Sequence, residues 1–196
     1  MSKRNPNISI YCHPLSLAEE PERVRAARRG EVMHSALGWL GKVQAAPGVP
    51  SAAGAPGGTG AAAAPCGVTE AVAERAVLKA LATLELDPKA WKIEEEFVKP
   101  ILRAFALPLF RQWFDPAART LVEAELMDAA GDVYRPDRVA FRDGVIEIID
   151  FKVGKREETH REQVNTYAGL LRSVFAGRQV TGYLVYIDEP AIVEVK

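Results

Sequence analysis

The stretch that decides the fold is Val133-Tyr134-Arg135-Pro136-Asp137-Arg138-Val139-Ala140-Phe141, then Arg142-Asp143-Gly144, then Val145-Ile146-Glu147-Ile148-Ile149-Asp150-Phe151-Lys152-Val153. The first run is rich in β-branched and aromatic residues, as strands are, and Asp-Gly is the signal of a tight hairpin. The last run is almost continuously apolar, as expected of a central strand covered on both faces. Side chains alternate along a strand, so Asp150 and Lys152 share one face while Phe151 takes the other. A hairpin brings Asp137 alongside Asp150. Pro136 cannot donate to a ladder, which predicts a bend or bulge there.

Two carboxylates and a lysine therefore meet on adjacent strands. The carboxylates can hold a hard divalent cation and the lysine can steer or activate a water, the minimum set for metal-assisted cleavage of a phosphodiester. An Asp-x-Lys at a strand end is by default a solvated surface pair. Here it closes an apolar run, where burying a carboxylate is costly without a partner or a metal.

Outward from this hairpin the chain is α-rich first and β-rich later. A helix is expected from about Glu22 to Lys42, another over Thr69–Leu84 with a Thr-Glu start, and a helical stretch over Trp91–Phe114 interrupted by Pro100 and Pro108. Strands follow near 120–128, 132–141 and 145–152, then a helix near 158–175, a strand over Val180–Ile187 and a last one over Ala191–Val195. Residues 1–21 read as a tail containing Pro6, Pro14 and Pro21, and 22–196 as a single domain. Within that domain, 19 of the 24 residues from Gln44 to Gly67 are Ala, Gly or Pro. Such a segment has few side chains to bury, and 44–67 reads as a flexible insertion.

The chain resembles the PD-(D/E)XK nuclease superfamily, in its RecB-like branch, and within it the C-terminal nuclease domain of AddA-type helicase–nuclease subunits. Motifs in the family's order carry the likeness. Gly30-Glu31-Val32-Met33-His34-Ser35-Ala36-Leu37 is similar to the Gly-x-x-x-His-x-x-Leu helix, and Tyr134-Arg135-Pro136-Asp137-Arg138-Val139 to the motif supplying the first carboxylate. Ile149-Asp150-Phe151-Lys152-Val153-Gly154-Lys155 is similar to the Asp-x-Lys motif, with Val153 where a threonine often stands, and Gln163-Val164-Asn165-Thr166-Tyr167 to the Gln-x-x-x-Tyr helix. The resemblance implies an α/β (α+β) fold: a restriction-endonuclease-like mixed central sheet flanked by helices, with an α-helical N-terminal part. It implies metal ligation by His34, Asp137, Asp150 and the backbone carbonyl of Phe151, with Lys152 holding the water or the scissile phosphate. Gln163 and Tyr167 would lie near the site and the DNA strand. Glu123 matches an acidic residue on the preceding strand, although Glu125 has the same parity. Arg135 and Arg138 flank the first carboxylate and are candidates either for phosphate contact or for ordinary strand-exposed charge, with a slight lean to phosphate for Arg138, which directly follows the Asp.

His34 alone, on a helix, would ordinarily be a surface or satisfied core residue, and Tyr167 would ordinarily be core with its hydroxyl at the edge. The implied cofactor is Mg²⁺ or Mn²⁺, the nitrogen ligand suiting Mn²⁺ at least as well. Cys12 and Cys66 cannot supply the four thiolates of an iron–sulfur cluster or a disulfide framework. No Gly-x-x-x-x-Gly-Lys-Ser/Thr loop provides an ATP site. A net charge of −1, from 25 basic and 26 acidic residues, is unlike a domain that grips DNA unaided. The expectation is a DNA exonuclease module of a recombination or double-strand-break-repair machine, in a helicase's polypeptide or beside it. The alternatives are a silent nuclease-like domain that binds DNA or a helicase, and a stand-alone repair endonuclease. No membrane span or secretory signal is visible, and a cytoplasmic setting is the default expectation.

Overall fold

A computed structural model of the chain describes residues 21–44, 68–142 and 144–195. The tail before residue 21, the bulk of the Ala/Gly/Pro-rich segment, both cysteines and Asp143 lie outside the described residues. Helix α1 (Pro21–Gln44) packs against α2 (Glu70–Thr83). Thr69 sits at the N-cap of α2, its hydroxyl accepting from Val72 N at 3.4 Å. A π-helical turn (Glu94–Val98) runs into α3 (Lys99–Phe105), and α4 (Pro108–Gln112) follows. Pro108 falls in the first turn of α4, where the missing N–H costs nothing, and divides the helical stretch as the sequence predicts; at Pro100 the expected interruption does not occur, because the π-helical turn just before it carries the helix on into α3.

The β-rich half begins with β1 (Arg119–Val122), a small hairpin of β2 (Leu126–Met127) and β3 (Val133–Tyr134), then β4 (Arg138–Arg142) and β5 (Val145–Lys152). Helix α5 (Thr159–Val174) crosses over to β6 (Gln179–Tyr186), and β7 (Ala191–Val195) closes the sheet. The order is β1-β4-β5-β6-β7, with β5 and β6 parallel and the other neighbours antiparallel. This is the mixed central sheet flanked by helices, consistent with a restriction-endonuclease-like fold.

Strand parity divides the core. Ile149 and Phe151 face the helical layer with Phe97, Ile101, Phe110, Trp113 and Phe114, whereas Ile146 and Ile148 face α5 with Tyr167, Ala168 and Leu171. The expected hairpin forms with Arg138 opposite Ile149 and Arg142 opposite Val145, and Gly144 takes φ +84° at its tip, where a side chain would be strained.

The two strands expected at 120–128 and 132–141 are each broken. Glu123 adopts φ +53°, which ends β1 and turns the chain out into the β2–β3 hairpin. On the other side the chain leaves β3 at Tyr134 and re-enters the sheet only at Arg138, with Pro136 between. Glu123 N still donates to Asp137 O at 3.0 Å, so the break is bridged at the residue that carries the first candidate carboxylate.

Candidate active site

The site lies where α1 crosses the C-terminal end of β5 and the start of β4. Continuing the β4–β5 register by one pair sets Asp137 beside Asp150. Both Asp137 oxygens are engaged: Oδ1 lies 2.9 Å from His34 Nδ1, and Oδ2 accepts the Phe151 amide at 2.6 Å. The three sequence-distant residues His34, Asp137 and Asp150 thus share one corner, with the His34 ring 6.5 Å edge-on from Phe151.

Asp150 is 3% exposed. Its Oδ2 is buried and accepts no hydrogen bond of good geometry, although Lys152 Nζ stands 2.6 Å away as an ion-pair partner. Burial, reinforced by the Asp137 charge, pushes the Asp150 carboxyl up to about 6 in spite of Lys152. Burial alone would depress the His34 imidazole, but the Asp137 carboxylate outweighs it and raises the net value, with Asp150 adding to the effect. At Asp150 the Lys152 charge does not outweigh burial and the second carboxylate.

Lys152 also donates to Gln163 Oε1 at 2.7 Å, and Gln163 Nε2 donates to Tyr167 Oη at 2.7 Å. Tyr167 Oη in turn reaches Arg135 O at 3.4 Å, a long contact. Burial, helped by the nearby Asp150 charge, pushes the phenol well above its ordinary range, so it stays a donor. Tyr167 is therefore both core and site: its ring is buried beside Tyr134 while its hydroxyl ends a chain that starts on the lysine.

The acidic pair on the preceding strand is separated by the break. Glu123 Oε1 lies against α1, 3.7 Å from where a Cβ on Gly38 would stand, one turn beyond His34. Glu125 instead binds the Arg135 guanidinium at 2.5 and 3.1 Å, on the surface.

Arg138 is not at this corner. It is 1% exposed and reaches into the helical layer, where Nη1 donates to Trp113 O at 2.8 Å and the guanidinium lies 4.0 Å over the Phe114 ring. Burial lowers its pKa to about 10. The physical reason is parity: Arg138 shares a face with Ala140, the opposite face from Asp137. No surface is left on it for a phosphate.

Sequence reading passed over several neighbours. Arg156 stacks 4.7 Å over Tyr186, the residue paired in register with Lys152, and His160 lies 6.1 Å from the same ring. Burial and the Lys152 charge hold the His160 imidazole below its ordinary value. The sequence signal for this lip was the pair Lys155-Arg156, three residues beyond Lys152. Arg29 and Asp188, which tie α1 to the end of the sheet, gave none beyond the position of Arg29 next to Gly30.

Among the described residues no three His, Cys, Asp or Glu side chains stand together as a ready metal cage. The protein's own donors fill that role: His34 and the Phe151 amide on Asp137, Lys152 on Asp150. The donor chemistry nonetheless fits a hard divalent cation. A buried carboxylate oxygen without a hydrogen bond of good geometry, a second carboxylate pressing its pKa upward and an adjacent imidazole are together stabilised by a cation.

A family model described as the PD-(D/E)XK nuclease superfamily matches residues 11–195. No curated protein matches the chain. Among solved structures, the one titled "Crystal structure of SSO0001" is 20% identical, with 63% of this chain aligned to 57% of that one and a TM-score of 0.31.

Proposed function

The chain belongs to the PD-(D/E)XK nuclease superfamily, and from that premise we propose that it is a metal-dependent DNA nuclease domain of the RecB-like branch, acting as the exonuclease module of a helicase–nuclease of the AddA type. The observation that carries the catalytic part is the convergence of His34, Asp137 and Asp150 beside Lys152, with Asp150 buried and its Oδ2 facing Lys152 as an ion-pair partner. Members of this superfamily are generally metal-dependent nucleases.

His34, Asp137, Asp150 and the Phe151 carbonyl would hold Mg²⁺ or Mn²⁺, and Glu123, turned toward α1, is favoured over Glu125 as the further acid. When bound, the ion polarises the phosphate and makes a nearby water more acidic. Lys152 contributes a positive charge at the reacting phosphate and a donor for the attacking water. Gln163 accepts one Lys152 proton and thereby orients the ammonium, while Tyr167 fixes Gln163. Lys152 Nζ stands 2.6 Å from the carboxylate that would hold the ion, so ion and lysine would share Asp150.

The helicase setting is supported by the near-neutral charge and by the order of the motifs, and exonuclease action follows from that setting. The test is cleavage of single-stranded and duplex DNA with Mg²⁺ or Mn²⁺. Wild-type protein should degrade DNA, and Asp150→Ala and Lys152→Ala should abolish cleavage while the circular dichroism spectrum is unchanged. Undiminished activity in pure Asp150→Ala protein rejects the assignment.

A further inference from the structure

Helix α1 carries His34, but most of what holds α1 is apolar packing on α2 and the core, which resists separation better than sliding or rotation. Directional bonds are needed to fix a ligand to a fraction of an ångström. One cluster supplies them at the site end. Arg29, five positions before His34, donates Nε and Nη2 to Glu96 O at 3.2 and 2.9 Å. The same guanidinium forms a two-pronged bond to Asp188, Nη1 to Oδ2 at 3.0 Å and Nη2 to Oδ1 at 2.5 Å. Asp188 Oδ2 also accepts the Gly154 amide at 2.8 Å, and the preceding residue, Ile187, donates its amide to Lys152 O at 3.0 Å. A single carboxylate thus binds both the helix of His34 and the backbone just past Lys152.

We infer that Arg29 and Asp188 are positioning residues: they lock α1 in register with the end of β5, so that His34 is held beside the carboxylates with which it would share a divalent ion. This rests on the metal-dependent reading of the same site. Neither residue touches the proposed ion or substrate. The planar fork suits the task, because a bidentate guanidinium–carboxylate pair defines orientation as well as distance. Arg29 satisfies a carbonyl of the helical layer and a carboxylate of the sheet edge at once, so it triangulates α1 rather than merely tethering it.

The experiment is a Mn²⁺ titration of the whole chain, following free Mn²⁺ by its electron paramagnetic resonance signal, with thermal melts run in parallel. Arg29→Ala and Asp188→Asn should each bind Mn²⁺ about tenfold more weakly than wild type, the size typical of lost outer supports. Cleavage at saturating Mn²⁺ should stay close to wild type, since only the assembly of the site is impaired. Arg29→Lys, which keeps the charge and one bond, should recover part of the affinity. Should Arg29→Ala not fold, Asp188→Asn decides, because it keeps the shape of the side chain and an acceptor for Gly154. Folded Arg29→Ala or Asp188→Asn protein with wild-type Mn²⁺ affinity overturns the inference alone. Wild-type protein that takes up no Mn²⁺, or Asp150→Ala protein that takes up as much as wild type, overturns the metal site and this inference with it.

Discussion

Asp137 and Arg138 are neighbours in sequence and end on opposite sides of the sheet. The carboxylate turns to the site and the guanidinium is buried under α1. The sequence leaned to Arg138 as a phosphate contact because it directly follows Asp137, but arginines are seldom buried and parity on a short strand interrupted by Pro136 is hard to count. What makes room for it is Gly41: a Cβ there would stand 1.9 Å from Arg138 Nη2. The arginine cannot swing away without losing its bond to Trp113 O and its place over Phe114. Gly41→Ala should therefore cost about 1–3 kcal/mol of stability, measured by urea unfolding. In an Arg138→Ala background the same change should cost almost nothing, and additive effects in that cycle would remove the steric account. Asp188 gives a second residue-level expectation. Burial alone would raise its pKa, but the Arg29 fork outweighs that and holds it below the usual carboxylate value. A depressed folded pKa stabilises the fold above the unfolded value, about 3.9, and that contribution is lost as pH falls through the folded pKa. Asp188→Asn should lower stability at neutral pH and flatten its decline below about pH 4. An unaltered acid limb of the stability profile would show that the pair is screened out.

At the scale of elements, α5 carries Gln163 and Tyr167 and is pressed onto the sheet at one point. An added Cβ at Gly182 on β6 would meet Val164 Cγ1 at 2.3 Å, and Val164, next to Gln163, is fully buried and has no long stem to bend away. Gly182→Ala should lift α5 off the sheet. The expected result is a loss of about 1–3 kcal/mol together with slower cleavage, because the Gln163 oxygen retreats from Lys152. Val164→Ala should restore both in the double variant; recovery of stability without recovery of rate would separate α5 placement from catalysis. Elements were also where the sequence was most legible. The central hairpin announced itself by the Asp-Gly turn and the continuous apolar run, and α5 by Gln163 and Tyr167 four apart on one face. What was hidden were the breaks. Nothing in the residue type of Glu123 foretells φ +53°, since left-handed backbone is uncommon outside glycine, so β1 and β2 read as one strand. The Arg29–Asp188 fork joins residues 159 positions apart, and no local pattern records such a pair.

Across the whole molecule, arginines at the start of α1 are engaged within the protein. Arg25 pairs with Glu96 at 2.8 Å and lies 4.2 Å over Trp91, Arg28 pairs with Glu31 at 2.8 Å, and Arg29 is bound by Asp188. Arg135 is taken by Glu125, and Arg138 is buried in the helical layer. Among the described residues, the lip beside Tyr186 adds Lys155 and Arg156 to Lys152 as cations beside the proposed reaction centre. Three phosphate contacts release few counterions: the slope of log K against log salt for duplex DNA should be only about −3, and about −2 for single strands. The chain alone should accordingly hold DNA weakly and cut with a high KM, and joining it to a protein that delivers a DNA end should lower KM far more than it raises kcat, since delivery raises local concentration without touching the chemistry. Fluorescence anisotropy across a salt series measures the slope, using Asp150→Ala protein so that the probe survives. A slope near −6 or steeper would mean that about seven or more phosphates are held by this chain, enough to work unaided, and the reading as a module fed by a helicase would give way to that of a nuclease acting alone.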